Sequence, residues 1–304
     1  MRWPPPLNGS VGGGQQTSLR RGTISFSVIK RRGWMVEICT YSISRADANL
    51  AQARHGVLES DEVESIMYKG KYFTAIVLAS GKGKRMHTEI AKQFIHINGY
   101  PMVYYSLRAF EESLVDSIIL VTSVDDIDYC EKEIVEKYGL TKVHAIVEGG
   151  VERYHSTAAG LKACKEETDY VMIHDCARPC LTPKIISDSM ESVISHGACT
   201  VGVKVTDTIC QVNNDNVIVE VPNRNYLWSV QTPQSFIFKE IRKAHEMLAE
   251  TEPKMTIEDK ASITDDVWVW KRFIGRDVRM VEGLYENIKV TNPTDVAKVK
   301  KRLI

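Results

Sequence analysis

The sequence predicts an α/β fold, a doubly wound and mostly parallel sheet from which a β-hairpin arm projects. Three observations carry this prediction. From Phe73 onward, short apolar runs alternate with segments of helical periodicity. The first run, Thr74-Ala75-Ile76-Val77-Leu78-Ala79, ends on the glycine turn Ser80-Gly81-Lys82-Gly83, which puts a ligand loop at the carboxyl end of a central strand. Further on, the β-rich runs Thr208–Val212 and Val217–Val221 flank Asn213-Asn214-Asp215-Asn216. Side chains of this kind close tight turns by bonding their own backbone.

The elements follow in order. The run from Phe73, β-branched and without polar interruption, fits a strand buried on both faces. Pro101 suits a first helical position, where its missing N–H costs nothing, and Met102, Tyr105, Leu107, Ala109 and Phe110 continue a roughly helical stripe. Ser117–Val121 reads as the second strand, Asp125–Tyr138 as a charged amphipathic helix and Val143–Val147 as the third strand. Tyr154–Lys165 reads as the next helix and Asp169–His174 as the fourth strand. This βαβα order is Rossmann-like, with ligands expected at the carboxyl ends of the strands. The arm occupies about 206–230, and its exposed apolar surface calls for cover. Helical patterns return at Lys239–Glu250 and Pro293–Leu303, with a strand at Val278–Val281 between them.

Composition narrows the function. The chain has 304 residues, enough for one large α/β domain, with 39 Lys+Arg against 39 Asp+Glu. A net charge of zero leaves no broad basic field for nucleic acid, so any phosphate binding is local. No apolar run reaches the roughly 20 residues of a membrane span. The seven cysteines are odd in number, scattered and without a CxxC pair, as expected for free thiols in a reducing compartment. Residues 1–66 differ in character from 67–304, the expected folded domain. Pro4-Pro5-Pro6 and Gly12-Gly13-Gly14 are low in complexity, and the first 36 residues hold six Arg/Lys and no acid. The segment reads either as sequence upstream of a start at Met67, giving a cytoplasmic protein, or as a plastid transit peptide; disorder is expected in both cases.

Three constellations carry chemistry. Around the first glycine turn, Lys82, Lys84, Arg85 and Lys92 add cations to a loop whose backbone N–H groups can approach an anion closely, the outline of a polyphosphate site. A dinucleotide fingerprint would need a third glycine where Met86 stands, and a P-loop would need Gly-Lys-Ser/Thr after its first glycine, so neither pattern fits. In Glu148-Gly149-Gly150-Val151-Glu152-Arg153-Tyr154-His155-Ser156 the paired glycines permit flat approach of a base, and Ser156 can bond a ribose or base edge. The strand Tyr170–His174 runs into Asp175, a carboxylate suited to Mg²⁺, with Arg178 close behind. The competing reading makes Asp175 a helix cap and Arg178 its ion-pair partner. His174 has no second His or Cys at metal spacing and reads as a packed residue, as do Trp228, Trp268 and Trp270.

Taken together, Leu78-Ala79-Ser80-Gly81-Lys82-Gly83-Lys84-Arg85-Met86 and Lys92-Gln93-Phe94 resemble the signature of nucleotidyltransferases that activate sugar or polyol phosphates. Within that superfamily the chain is most similar to the 2-C-methyl-D-erythritol 4-phosphate cytidylyltransferases of the non-mevalonate isoprenoid pathway. The resemblance runs over about 72–304 and recurs in the Gly149-Gly150 turn, the Asp175 segment, Asn223–Trp228 with Gln231-Thr232-Pro233-Gln234, Thr264-Asp265-Asp266 and Asn287–Thr291. It implies CTP held by Ala79, Ser80, Gly81, Gly83 and Lys84, with cytosine read at Gly149, Gly150 and Ser156. It implies a polyol phosphate at Asp175, Arg178, Thr208, Arg224 and Thr264, catalysis by Arg85, Lys92 and Lys289, Mg²⁺ on Asp175, and a homodimer clasped through the arm, by which Arg224 would serve the neighbouring site. Val151 stands where the family often has an acid, and Ala91 where it often has proline. The ribitol 5-phosphate cytidylyltransferases share the loop, the Gly-Gly turn and Gln231–Gln234; Ala177–Cys180 and Arg224–Trp228 favour the methylerythritol enzymes. A catalytically inactive nucleotide-binding regulator is the alternative of another class, and its mark would be loss of Arg85, Lys92 or Asp175, all of which are present. The implied reaction uses a phosphate monoester as nucleophile, largely a dianion at neutral pH, so no general base is required.

Overall fold

The computed structural model describes residues 67–81 and 91–303. The expectations for residues 1–66, and those for Lys82, Gly83, Lys84 and Arg85, lie outside the described residues.

A seven-stranded sheet forms the centre, in the order β11-β7-β10-β6-β1-β4-β5. Its strands are β1 (Phe73–Leu78), β4 (Ser117–Thr122), β5 (Val143–Glu148), β6 (Tyr170–Asp175), β7 (Ala198–Lys204), β10 (Trp228–Ile237) and β11 (Arg279–Glu282). β1 pairs in parallel with β4 and β6, and every one of its residues is buried. Only β10 runs against its neighbours, antiparallel to both β6 and β7. The doubly wound, mostly parallel sheet is therefore present.

Strand alternation sorts the core into two layers. Phe73, Ala75 and Val77 face a cluster with α1 (Met102–Glu111), the helical segment Ile127–Glu136 and α4 (Pro183–His196), where Leu107, Phe110, Ile134, Ile186 and Val193 are fully buried. Ile76 and Leu78 face the other side, packed by α3 (Arg153–Lys162), α5 (Phe238–Thr251) and α7 (Asp266–Phe273) around Phe238, Ile241 and Trp270. The short α6 (Ile257–Ser262) precedes α7, and α8 (Pro293–Arg302) closes the chain.

Several expectations need correction. The helix read over Asp125–Tyr138 is composite: a 3₁₀ turn at Val124–Asp126, an α turn at Ile127–Tyr129, here α2, and π-helical turns at Cys130–Glu136. Pro101 stands one position earlier than expected, as the extended residue before α1. It also ends a small hairpin, β2 (His96–Ile97) with β3 (Tyr100–Pro101), turned by Asn98 and Gly99 at φ 49 and 93°.

The arm is shorter than expected. Its strands are β8 (Gln211–Val212) and β9 (Ile218–Glu220), while Trp228 already pairs with Lys204 in the main sheet. Gln231–Gln234, one of the segments that carry the resemblance, belongs to β10, at an irregularity in its pairing with β7. The turn chemistry is as expected: Asn213 Oδ1 accepts from Asp215 N at 3.0 Å and Val217 N at 2.9 Å.

Candidate active site

Strand ends and the loops after them build the site. Ala79 continues β1 and is held by its N–H to Val121 O at 2.7 Å. Ser80 Oγ lies 2.8 Å from Ser156 Oγ, which accepts from Gly150 N at 3.1 Å. Glycine is required at this junction. A Cβ on Gly149 would come within 2.5 Å of Ser80 Oγ and 2.7 Å of Ser156 Oγ, and one on Gly150 within 2.3 Å of His155 Cβ. The β1 loop, the Gly149-Gly150 turn and the start of α3 thus form one surface, with Ser156 as its buried pin. Val151 projects fully into solvent.

Beside this surface β6 delivers Asp175. Its carboxylate accepts from Lys289 Nζ at 2.6 Å on one oxygen and from Arg153 Nε at 3.0 Å on the other. Burial alone would raise this carboxyl, but the guanidinium and the ammonium overcome it and hold the group far below the ordinary carboxylate range. The Asp175–Arg178 ion pair of the competing reading does not form. Arg178 donates to backbone carbonyls instead, Nη1 to Asn287 O at 2.8 Å and Nη2 to Val230 O at 3.2 Å. It thereby fastens the segment bearing Lys289 to β10, and its Nε is buried without a partner among the described residues.

Lys92 lies half-buried in a 3₁₀ turn, Lys92–Phe94, with Cε 3.8 Å from where a Cβ on Gly81 would sit. Burial pushes the Cys176 thiol up to about 12, while Lys92 and Lys289 pull it the other way. Burial also pushes His174 down to about 4. Asp175 N–H donates to Thr232 Oγ1 at 3.2 Å, which leaves the Thr232 hydroxyl to donate to His174 Nδ1 at 2.9 Å, and Nε2–H then faces Arg178 O at 3.2 Å. His174 is a packed residue, as its lack of metal partners suggested.

The remaining expected residues lie further out. Thr264 is exposed, next to Asp265, whose Oδ1 caps α7 by accepting from Trp268 N at 2.8 Å. Thr208 and Arg224 are exposed on the arm; Arg224 Nη1 donates to Thr206 O at 2.8 Å, and neither residue hydrogen-bonds to the Asp175 cluster among the described residues. Four residues escaped the sequence reading: Arg153, Asp266, Thr232 and Asn287. Asn287 Nδ2 donates to Thr232 O at 3.1 Å and Arg153 Nη1 to Asp266 Oδ2 at 2.7 Å. Each sits inside a motif already singled out, so position was the available signal and chemistry was not.

One carboxylate with cations around it suits a metal that takes its other ligands from phosphates and water. Among the described residues no group of three or more His, Cys, Asp or Glu forms a protein-built cage.

Comparison with known proteins agrees with this geometry. The family model for 2-C-methyl-D-erythritol 4-phosphate cytidylyltransferase matches residues 73–303. The protein of that name from Lachnoclostridium phytofermentans is 41% identical over 223 residues, 73% of this chain and 92% of its own. Its counterpart from Lachnospira eligens is 44% identical over 224 residues, covering 73% and 95%. The crystal structure of 4-diphosphocytidyl-2C-methyl-D-erythritol synthase from Anaerococcus prevotii superposes with a TM-score of 0.67 at 30% identity, over 78% of this chain and 98% of that one. With the family model over residues 73–303, relatives at 41% and 44% identity and the fold in agreement, the chain belongs to the 2-C-methyl-D-erythritol 4-phosphate cytidylyltransferase family.

Proposed function

We infer that this chain transfers the cytidylyl group of CTP to 2-C-methyl-D-erythritol 4-phosphate, releasing pyrophosphate, in the non-mevalonate route to isoprenoid precursors. The observation that carries the chemistry is Lys289 held on Asp175 at the end of β6, beside the glycine surface pinned by Ser156. A phosphate oxygen of the acceptor attacks the α-phosphorus of CTP; the new P–O bond forms as the bond to the β-phosphate oxygen breaks, and pyrophosphate leaves with that electron pair. The nucleophile is already an anion, so no residue need remove a proton. The protein's task is to bring two anions together in line and to stabilise the charge that develops. Lys289 and Lys92 are suited to it, and Arg85 completes the set in this reading.

Cytosine is assigned to Gly149, Gly150 and Ser156, and the triphosphate to the loop Ala79, Ser80, Gly81, Gly83 and Lys84. The acceptor is assigned to Asp175, Arg178, Thr208, Arg224 and Thr264, with Arg178 acting also through the carbonyls it holds. Asp175 would hold Mg²⁺, which when bound neutralises phosphate charge. The exposed apolar residues Val212, Ile218 and Val219 support pairing of the arm with that of a second copy, which would bring Arg224 to the neighbouring acceptor site. Among the described residues no helix is long and apolar enough to cross a membrane, and the bacterial relatives support a cytoplasmic setting.

Steady-state pyrophosphate release with CTP and either acceptor tests the substrate. Methylerythritol 4-phosphate should exceed ribitol 5-phosphate in kcat/KM by about two orders of magnitude or more, the scale at which a site built around one acceptor's hydroxyls rejects another. Equal or reversed preference would overturn the acceptor assignment.

A further inference from the structure

Arg153 has no part in the reaction as described, yet it occupies the centre of the most buried charge network among the described residues. Its Nε meets Asp175 Oδ1 at 3.0 Å and its Nη1 meets Asp266 Oδ2 at 2.7 Å. Asp266 is fully buried and has His245 Nε2 at 3.3 Å on its other oxygen. Asp175 has Lys289 Nζ on its other oxygen at 2.6 Å. The chain Lys289–Asp175–Arg153–Asp266–His245 therefore ties the segment after β11 to β6, α3, α7 and α5. A planar fork of donors is well suited to serve carboxylates on two different elements at once.

The charges explain why the fork is needed. Two buried carboxylates face one guanidinium and one ammonium, so the set is balanced while Lys289 stays on Asp175. When Lys289 turns toward a phosphate, Asp175 must keep another cation or be left as an uncompensated buried charge, which is strongly unfavourable. Arg153 is that cation.

We propose that Arg153 is a positioning residue: by staying on Asp175 it frees Lys289 to engage the nucleotide, and by bridging to Asp266 it is itself held in place. The proposal rests on the reading that Lys289 acts on the α-phosphate. Without Arg153, Lys289 would be the one cation among the described residues bonded to the Asp175 carboxylate, and would be held there more tightly. Removing Arg153 would then have the same effect on turnover as removing Lys289, by a different route.

A double-mutant cycle on the full chain tests this. Arg153→Met should lower kcat by about 30-fold or more, while the Kd for CTP with Mg²⁺ and no acceptor, measured by calorimetry, changes by less than about threefold. In a Lys289→Ala background the same change should cost less than about threefold, because the group to be freed is gone. Arg153→Lys, with one point charge for two carboxylates, should fall between Arg153→Met and the wild type. Asp266→Asn should lower kcat in the same direction with Arg153 intact. If Arg153→Met does not yield folded protein by thermal melting, Arg153→Lys carries the same cycle. Losses that multiply in the double variant, or a fall in CTP affinity as large as that in kcat, would show a merely structural strut and overturn the proposal. Near-normal turnover of Lys289→Ala alone would instead overturn the reading of Lys289.

Discussion

Lys92 and Lys289 come from segments far apart in sequence, the first in the turn Lys92–Phe94 and the second bonded to Asp175 at the end of β6. Both are half-exposed, so replacing either with Ala removes charge from the site without opening the core. Each change should lower kcat by about two orders of magnitude, the behaviour of a group that acts mainly in the transition state. Lys92→Ala should do so with little shift in Tm, while Lys289→Ala, which takes a cation from buried Asp175, should also lower Tm; steady-state kinetics beside a thermal melt checks this. His174 gives a prediction about stability. It is buried and neutral, and its pKa falls to about 4. The unfolded chain protonates this histidine below about pH 6.5 while the folded one does not. Its contribution is complete above that pH and is lost as pH falls toward 4, by about 3 kcal/mol at 1.36 per unit. Urea titrations from pH 7 to 4 should show this slope, and a folded His174→Gln variant should lack that share. Asp175 was legible because a carboxylate closing an apolar strand has few other reasons to be there. Arg153 was not, since at the start of a helix it reads as a solvated charge. Its burial depends on carboxylates 22 and 113 residues away, which no local pattern reveals.

At the scale of elements, the sequence spoke clearly wherever a pattern was local. The strand from Phe73, the hairpin turn at Asn213 and the helix from Pro293 were all visible in a few residues. The helix α4 was missed although Thr182-Pro183 announces it: Thr182 Oγ1 accepts from Ile185 N at 3.4 Å and Pro183 opens the helix. β7 and β10 were missed as sheet strands because their pairing joins residues far apart, Trp228 with Lys204 and Gln234 with Ile173. The arm carries its own prediction. An isolated two-stranded ribbon is marginal in water, and Ile218 and Val219 are both more than half exposed, at 58% and 57%. The chain should sediment as a dimer, and Ile218→Asp should shift it toward monomer. Arg224→Ala and Lys289→Ala subunits, co-expressed and purified as the mixed dimer, should recover about half of wild-type activity, since one site of a mixed dimer would carry both lesions and the other neither. Mixed dimers as inactive as their parents would assign Arg224 to its own subunit's site.

For the whole molecule, the sheet supplies a base with helices on both faces, and the proposed chemistry lies at the edge where β1 and β6 end. A net charge of zero is consistent with that division. Cations are concentrated at the strand ends, where two anionic substrates must meet, and are balanced elsewhere by surface pairs such as Arg276 with Glu240. The fold was therefore readable in outline from periodicity, and the candidate site residues stood out as glycines and charges at strand ends, while the place of Arg153 beneath them required three dimensions. The central claim, cytidylyl transfer to a methylerythritol phosphate, is tested most directly by phosphorus NMR of the chain with CTP, Mg²⁺ and 2-C-methyl-D-erythritol 4-phosphate. The account predicts that the monoester resonance is replaced by a pair of coupled diphosphate resonances, in step with one equivalent of pyrophosphate. An unchanged monoester resonance under conditions where ribitol 5-phosphate is converted, or where CTP remains intact with both acceptors, would contradict it.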